Sequence, residues 1–445
     1  MSENLLSVGI DLGTTTTQMI LSRLQVENLA DPFSVPRLEI THREILYKSP
    51  IYFTPLLNHD RIDADALRKI VDTEYQNAGV HPSDIQTGAV IITGETARKD
   101  NAAEVLSALS DYAGEFVVAT AGPALESVLA AKGAGADQLA KQKARFVLNF
   151  DIGGGTSNLA LYSPDGELVD TGCLNVGGRL IKFRSDGTVS YVSPVLKDLD
   201  VSDPEAVVNV LVQALEEAAG LRPVTSVLRH FITDKTVSVP QERPIFSFSG
   251  GVADLIGKEE TERFRYGDLG VLLGQAIGRS ALCKAEYHLG TETIRATVVG
   301  AGTHTTELSG STICCSGAEL PVHDLPVIRI DGLNAEQIRK KIGLFEEKTP
   351  ALFLKGEGLQ NFAALNRQAE LIAEAVTPLQ SQLVVVLETD MAKAMGNALR
   401  LRLDSTTAII CIDGIHVQEN SYLDLASPVA DGSALPVVIK TLAFI

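Results

Sequence analysis

Two short stretches of this chain bring a carboxylate, glycines and hydroxyls within a few residues of each other. The fuller is Phe150-Asp151-Ile152-Gly153-Gly154-Gly155-Thr156-Ser157-Asn158. Glycines let a backbone turn tightly and approach a ligand closely. N–H groups freed in such a turn form a concave anion site, and hydroxyls add donors. The pattern reads as a cradle for phosphate. Asp151 would repel a bare phosphate, so the reading asks for a magnesium ion between them, held by the carboxylate through water.

The same chemistry occurs earlier, in Ile10-Asp11-Leu12-Gly13-Thr14-Thr15-Thr16-Thr17-Gln18. With Asp11 set on Asp151, Gly13 falls on Gly153, Thr16 on Thr156, Thr17 on Ser157 and Gln18 on Asn158. The 140-residue separation is too long for a solenoid repeat and suits two related domains. One such turn is usually an ordinary hairpin. A matched pair a domain apart is built to clamp a nucleotide tail in a cleft. The candidate phosphate donors are Gly13, Thr14, Thr15 and Thr16 in the first turn, and Gly153, Gly154, Gly155 and Thr156 in the second. Asp11 and Asp151 are the candidate metal ligands and catalytic carboxylates.

Elements that can position these turns flank them. Leu5, Leu6 and Val8 lead into the first turn as an apolar strand, and Phe146-Val147-Leu148 leads into the second. Met19-Ile20-Leu21 completes the first hairpin. Residues 26–60 carry four prolines, with a strand expected at Glu44-Ile45-Leu46-Tyr47. Leu67, Ile70, Val71 and Tyr75 share one face of an amphipathic helix. A buried strand follows at Ala89 to Thr93, running into Gly94. Asp100 or Asn101 then caps a helix, with Glu104 placed for a capping box if Asn101 is the cap. Phe116 to Ala119 is the next strand. Such alternation implies a parallel or mixed sheet covered by helices. Further on, Asp203-Pro204 opens a helix that Gly220 ends. Gly267-Asp268-Leu269-Gly270 leads into a short helix over 271–277. Val384 to Leu387, Asp390 to Arg400 and Thr407 to Ile412 read as strand, helix and strand. Asp413-Gly414 reads as an ordinary turn, since no Gly-Thr run follows it.

Composition sets limits. The chain has 445 residues, which suggests about three domains. Its hydrophobic content of 45% points to a globular protein. No apolar run approaches the roughly 18 residues of a membrane span, and Met1-Ser2-Glu3-Asn4 lacks the basic start of a signal peptide. A cytoplasmic protein without a membrane partner is expected. A net charge of −18 argues against nucleic acid as a partner. The cysteines number five, an odd count without a C-x-x-C pair, which speaks against a disulfide scaffold or structural zinc. Cys314 and Cys315 read as strand residues. There is no P-loop and no dinucleotide fingerprint.

The paired turns resemble phosphate 1 and phosphate 2 of the actin, heat-shock chaperone and sugar kinase superfamily. Other parts of that pattern follow in order. Phe248-Ser249-Gly250-Gly251-Val252-Ala253 resembles the adenosine motif. Ala121 to Ser127 resembles the start of the first connecting helix. Val299-Gly300-Ala301-Gly302-Thr303 resembles the second connecting segment. The resemblance implies an α/β protein with the actin-like ATPase fold: two related ribonuclease-H-like domains around a nucleotide cleft, plus a small C-terminal α/β module. Boundaries are expected at 1–145, 146–316 and 317–445. It further implies that Gly250, Gly251 and Gly300 approach the nucleotide. Glu126 is then a catalytic group that orients the attacking water; read alone, it is equally a favourable partner for its helix dipole. Arg179, in Val176-Gly177-Gly178-Arg179, can reach either an acidic partner or a phosphate.

Within the superfamily, Leu5 to Gln18, Cys173 to Leu180, Arg295 to Gly302 and the final Val437 to Phe444 resemble the ATPase reactivating factors of ethanolamine ammonia-lyase. That resemblance implies ATP and Mg2+ as cofactors and the lyase, through either of its subunit types, as partner. Damaged cobalamin would be exchanged for intact coenzyme in ethanolamine catabolism, in association with a bacterial microcompartment. Self-association is left open. The rivals within the same fold are a small-molecule kinase, for which no acceptor base is evident, and an actin-like filament protein.

Overall fold

A computed structural model of the chain describes residues 2–13, 16–30, 38–58, 61–93, 101, 105, 109, 118–120, 123–233, 235–284, 286–304, 306–310, 312–345, 350–356, 361–377, 382–417, 421–429 and 432–441. Strand Ser2–Leu12 pairs antiparallel with Thr16–Asn28 in unbroken register, which sets Asp11 opposite Gln18. Thr16–Asn28 pairs onward with Leu38–Lys48. On its other side Ser2–Leu12 runs parallel to Thr87–Ile92, which runs parallel to Val118–Thr120. The second sheet has the same plan. Leu168–Leu174, Ser157–Tyr162 and Val147–Ile152 are antiparallel neighbours, and Ile245–Ser249 and Tyr287–Leu289 extend them in parallel. Asp151 stands opposite Asn158. The duplication read from the two turns thus extends to whole sheets with one strand order.

The central strands Thr87–Ile92, Val147–Ile152 and Ser157–Tyr162 are buried along their whole length. Strands covered on both faces need such near-continuous apolar runs. Helix Ala64–Ala78 covers the first sheet through Leu67, Val71 and Tyr75. Asp63 caps its start, and Gly79 ends it at φ 68°, where a side chain would be strained. Helix Pro204–Ala218 covers the second sheet, packing Leu211 and Leu215 into the core that holds Phe246 and Phe248. Asp203 caps it and proline holds its first turn, as expected.

Helices Pro123–Gly133 and Ala296–His304 cross between the two sheets. The crossing is backbone against backbone. A Cβ on Gly133 would lie 1.9 Å from the Ala296 carbonyl oxygen, and one on Gly300 2.0 Å from that of Leu129. Each helix reaches the sheet that its sequence position did not assign to it. Ser127 Oγ donates to the Gly172 carbonyl in the second sheet at 3.3 Å. The later helix lies on the first sheet, where Ser7 Oγ donates to the Gly302 carbonyl at 2.6 Å. The expected boundaries at 145 and 316 fall between elements, after helix Ala136–Lys143 and after strand Ile313–Ser316.

Two strands that precede residue 317 join the sheet of the third body. Thr306–Leu308 pairs with the C-terminal strand Pro436–Thr441, and Ile313–Ser316, carrying Cys314 and Cys315, pairs with Ala408–Ile412. Both belong to an eight-stranded sheet. Its centre is four parallel strands, Val322–Arg329, Ala351–Leu354, Gln382–Leu387 and Ala408–Ile412. Helices Ala335–Ile342, Phe362–Val376 and Ala392–Arg400 pack on one face through Ile338, Ile372 and Met395. Asp413 proves more than a turn residue. It is fully buried and accepts hydrogen bonds from Thr312 Oγ1 at 2.5 Å and from the Ala392 N–H at 2.7 Å.

The Asn101 side chain ties back to the strand before the first helix. Its amide bonds both ways with the backbone of Ile62, at 2.9 Å each. Gly94, Asp100, Glu104, Phe116, Val117, Ala121, Gly122 and the last residues, Leu442 to Phe444, lie outside the described residues.

Candidate active site

Both turns close the same way. Gly13 N–H donates to the Thr16 carbonyl at 2.9 Å, and Gly153 N–H to the Thr156 carbonyl at 2.9 Å. At Gly155 the second turn faces open room: a Cβ there would meet nothing within 4 Å. Thr14 and Thr15 lie outside the described residues.

The two carboxylates are buried and close enough to repel each other. Burial pushes Asp11 up to about 7; a hydrogen bond from Thr93 Oγ1 at 3.1 Å works against that, and the Asp151 charge adds to it. Burial pushes Asp151 up to about 6, against a hydrogen bond from Ser249 Oγ at 2.7 Å. Asn149 Nδ2 donates to that same Ser249 oxygen at 3.1 Å. Each carboxylate has an amide as its cross-strand neighbour, Gln18 for Asp11 and Asn158 for Asp151. Both amides are 2% exposed, and Gln18 Oε1 and Asn158 Oδ1 have no hydrogen-bond partner among the described residues. Two carboxylates and two amide oxygens that lack partners among the described residues are a hard-donor set of the kind magnesium takes.

Further residues brace the turns. At the first, Thr54 Oγ1 donates to the Gly13 carbonyl at 2.8 Å and lies 3.1 Å from Thr17 Oγ1. Strand Tyr52–Phe53, beside Thr16 and Thr17, is pinned by buried Glu74, which accepts from Tyr52 at 2.6 Å and Tyr47 at 2.7 Å. At the second, Gly178 N–H donates to the Gly153 carbonyl at 3.0 Å and Arg179 N–H to that of Gly154 at 2.6 Å. The approach is so close that a Cβ on Gly177 would lie 2.3 Å from the Gly154 oxygen. The Arg179 side chain lies along Gly154, and its Nε donates to Asp268 at 3.0 Å, so the acidic partner is found. Asp268 in turn accepts from Gly270 N–H at 2.8 Å, at the start of helix Gly270–Arg279.

The adenosine-like motif keeps its place but changes its reason. Strand Ile245–Ser249 ends beside Asp151. Gly250, at φ 86°, is the residue that must be glycine, because a Cβ would lie 2.4 Å from the Ile152 carbonyl. At Gly251 a Cβ would meet only Ile294, at 3.8 Å. Gly300, expected at the nucleotide, faces Leu129 inside the helix crossing instead. Glu126 is half-buried in the first turn of Pro123–Gly133. Thr93, Ser249 and Thr54 were not singled out from the sequence. Their types gave a weak signal, a hydroxyl just beyond or at a strand end, but only register shows which oxygen each one meets.

Two related sheets of one strand order, each with a buried carboxylate at its matching hairpin, define the actin-like ATPase fold. The model of the family described as "Ethanolamine utilisation protein EutA" matches residues 3–445. The chain belongs to that family. It is 37% identical to the ethanolamine ammonia-lyase reactivase EutA of Salmonella typhimurium (strain LT2), over all of this chain and 99% of that protein. The protein of the same name from Escherichia coli (strain K12) gives the same identity and coverage. Among solved structures, a Ppx/GppA family member from Aquifex aeolicus is similar at a TM-score of 0.41 and 12% identity, over 67% of this chain and 97% of that one.

Proposed function

We propose that this chain is an ATP-dependent reactivase for ethanolamine ammonia-lyase that promotes exchange of damaged cobalamin for intact coenzyme. The observation that carries the ATPase part is the matched pair of buried carboxylates Asp11 and Asp151, each in its own glycine-rich hairpin. The lyase as partner rests on the names of the relatives. The reading places the chain in the cytoplasm, with the microcompartment in which ethanolamine is degraded.

Backbone N–H groups of both turns, with Thr16 and Thr156, hold the phosphates. Gly250 and Gly251 let the nucleoside approach the end of strand Ile245–Ser249. Asp11 and Asp151, helped by the amide oxygens of Gln18 and Asn158, would hold magnesium, which supplies positive charge against the polyphosphate. Phosphoryl transfer asks mainly for position and charge stabilisation. Glu126 orients the attacking water and takes its proton. The new bond to the γ-phosphorus forms as the bond to the bridging oxygen breaks, and ADP and phosphate result. Loss of the γ-phosphate removes contacts at one turn, and the two sheets move about the helix crossing. The lyase binds the two states unequally, and that difference drives exchange.

Glu126→Gln tests the reading. A group that acts on water matters in the transition state and little in the ground state. ATP affinity should stay near normal while single-turnover hydrolysis falls about 10²–10⁴-fold, and reactivation of the inactivated lyase should stall. Normal hydrolysis with a slightly lowered melting point would reduce Glu126 to a partner of its helix dipole.

A further inference from the structure

The eight-stranded sheet carries polar groups that the nucleotide cleft does not use. A cavity of about 240 Å³ opens at the carboxyl ends of its neighbouring strands Val322–Arg329 and Ala351–Leu354. Arg329, Asp331, Lys355 and Gln368 give it its polar lining. The carboxyl ends of parallel strands are where open α/β sheets hold ligands.

The balance of donors and acceptors indicates what would fit. Asp331 is the one carboxylate among the lining residues, and both its oxygens are taken: Oδ2 by Arg329 Nε at 2.8 Å and Oδ1 by the Lys355 N–H at 3.0 Å. The donors are not taken up among the described residues. The terminal nitrogens of Arg329 and the ammonium of Lys355 have no partner among the described residues. The buried Nε2 of Gln368 has none either. An unpaired buried donor is costly, so a site that keeps one beside two cations is short of an acceptor. Glycines keep the space clear. Gly332 and Gly356 adopt φ 72° and 78°, and a Cβ on Gly332 would meet nothing within 4 Å. A Cβ on Gly356 would lie 2.1 Å from Thr389 Oγ1, so the turn at this position holds glycine alone.

We propose that this cavity is a binding site for a small molecule carrying an oxyanion, a phosphate or a carboxylate, gripped by Arg329, Lys355 and Gln368. Arg329 is anchored through Nε, which leaves its two terminal amino groups free for an anion. The volume lies below the roughly 300–1,000 Å³ of pockets for drug-sized ligands, which favours a compact metabolite.

The test is calorimetric titration of the full chain with inorganic phosphate and, in parallel, with acetate. The Arg329→Gln/Lys355→Gln double variant is titrated alongside, so that phosphate held at the nucleotide turns is subtracted. Saturable binding of either anion, weakened at least tenfold in the double variant, supports the site, and the anion bound more tightly names the ligand's group. Gln368→Leu, which removes the amide but keeps the bulk, should weaken the same binding if the double variant misfolds. ADP affinity should be unchanged in all three proteins, so failure here is separable from failure of the ATPase reading. No saturable binding of either anion, or equal binding to wild type and variants, overturns the proposal.

Discussion

The two phosphate turns make the same closing hydrogen bond at the same length, yet their carboxylates are held by different means. Asp151 is met by Ser249, directly across the parallel register, with Asn149 fixing that hydroxyl from behind. Asp11 lies across from Ile91 and is met instead by Thr93, two residues further along and past the strand end. Behind the turns, the first is braced by one hydroxyl, Thr54, and the second by a stretch of backbone, Gly177 to Arg179. The difference shows what duplication preserves. Glycine turn, carboxylate and amide neighbour recur; the groups that hold them were solved separately on each side.

The largest effect should show whether the halves are equal in chemistry. Asp11→Asn and Asp151→Asn should each lower ATP hydrolysis by at least about 10²–10³-fold, the scale for a lost electrostatic group in a transition state. Near-normal turnover in either would break the equivalence. The next effect should separate them. Both carboxylates are raised by burial, so the fold favours their protonated forms. Their contribution to stability is full below about pH 4, where the unfolded chain is also protonated. It is lost as pH climbs through about 6 for Asp151 and about 7 for Asp11. The magnesium-free chain should therefore melt lower at pH 8 than at pH 5. Each tenfold gain in a carboxylate's proton affinity on folding is worth about 1.4 kcal/mol. Asp11→Asn should flatten that slope more than Asp151→Asn. Equal slopes in all three proteins would show that the pair does not titrate in this window.

A third, smaller effect concerns the second turn's floor. Gly250→Ala places a methyl against the Ile152 carbonyl at positive φ and should cost roughly 1–3 kcal/mol in a chemical denaturation. Gly251→Val should leave stability nearly intact and weaken ADP binding. The reverse pattern would return the strict glycine to 251. The smallest effect tests the brace: Arg179→Gln should weaken ADP about tenfold, or 1.4 kcal/mol, and leave adenosine unaffected. Equal losses for both ligands would make Arg179 a brace alone.

The turns were legible because their chemistry is local: type and spacing within nine residues carry it. Helix caps at Asp203 and the strands at 384–387 and 407–412 were legible for the same reason. What escaped depends on partners far along the chain. Thr306–Leu308 finds Pro436–Thr441 only in space, across about 130 residues of chain, and no local pattern marks that pairing. Gly300 was read as a ligand neighbour because a small residue near a cleft motif looks the same whether a nucleotide or a helix demands it; here the Leu129 backbone does. Gly250 and Gly251 are adjacent, and only the backbone angle tells which one is obligatory.

The third sheet does not hang free of the nucleotide machinery. Leu5, Leu24 and Val26 of the first sheet share a core cluster with Val429 and Ala434, and Ala89 and Ile91 share another with Ala426 and Val438. Thr87 and Thr306 also meet through their hydroxyls, 2.5 Å apart. Strand Ser2–Leu12, which delivers Asp11, is thus wedged directly against the C-terminal body. In the proposed cycle that body would travel with the first sheet, and a small rotation between the halves would become a long sweep at its far rim, a lever arm whose length, rather than any change in its own shape, would set how far the stroke reaches.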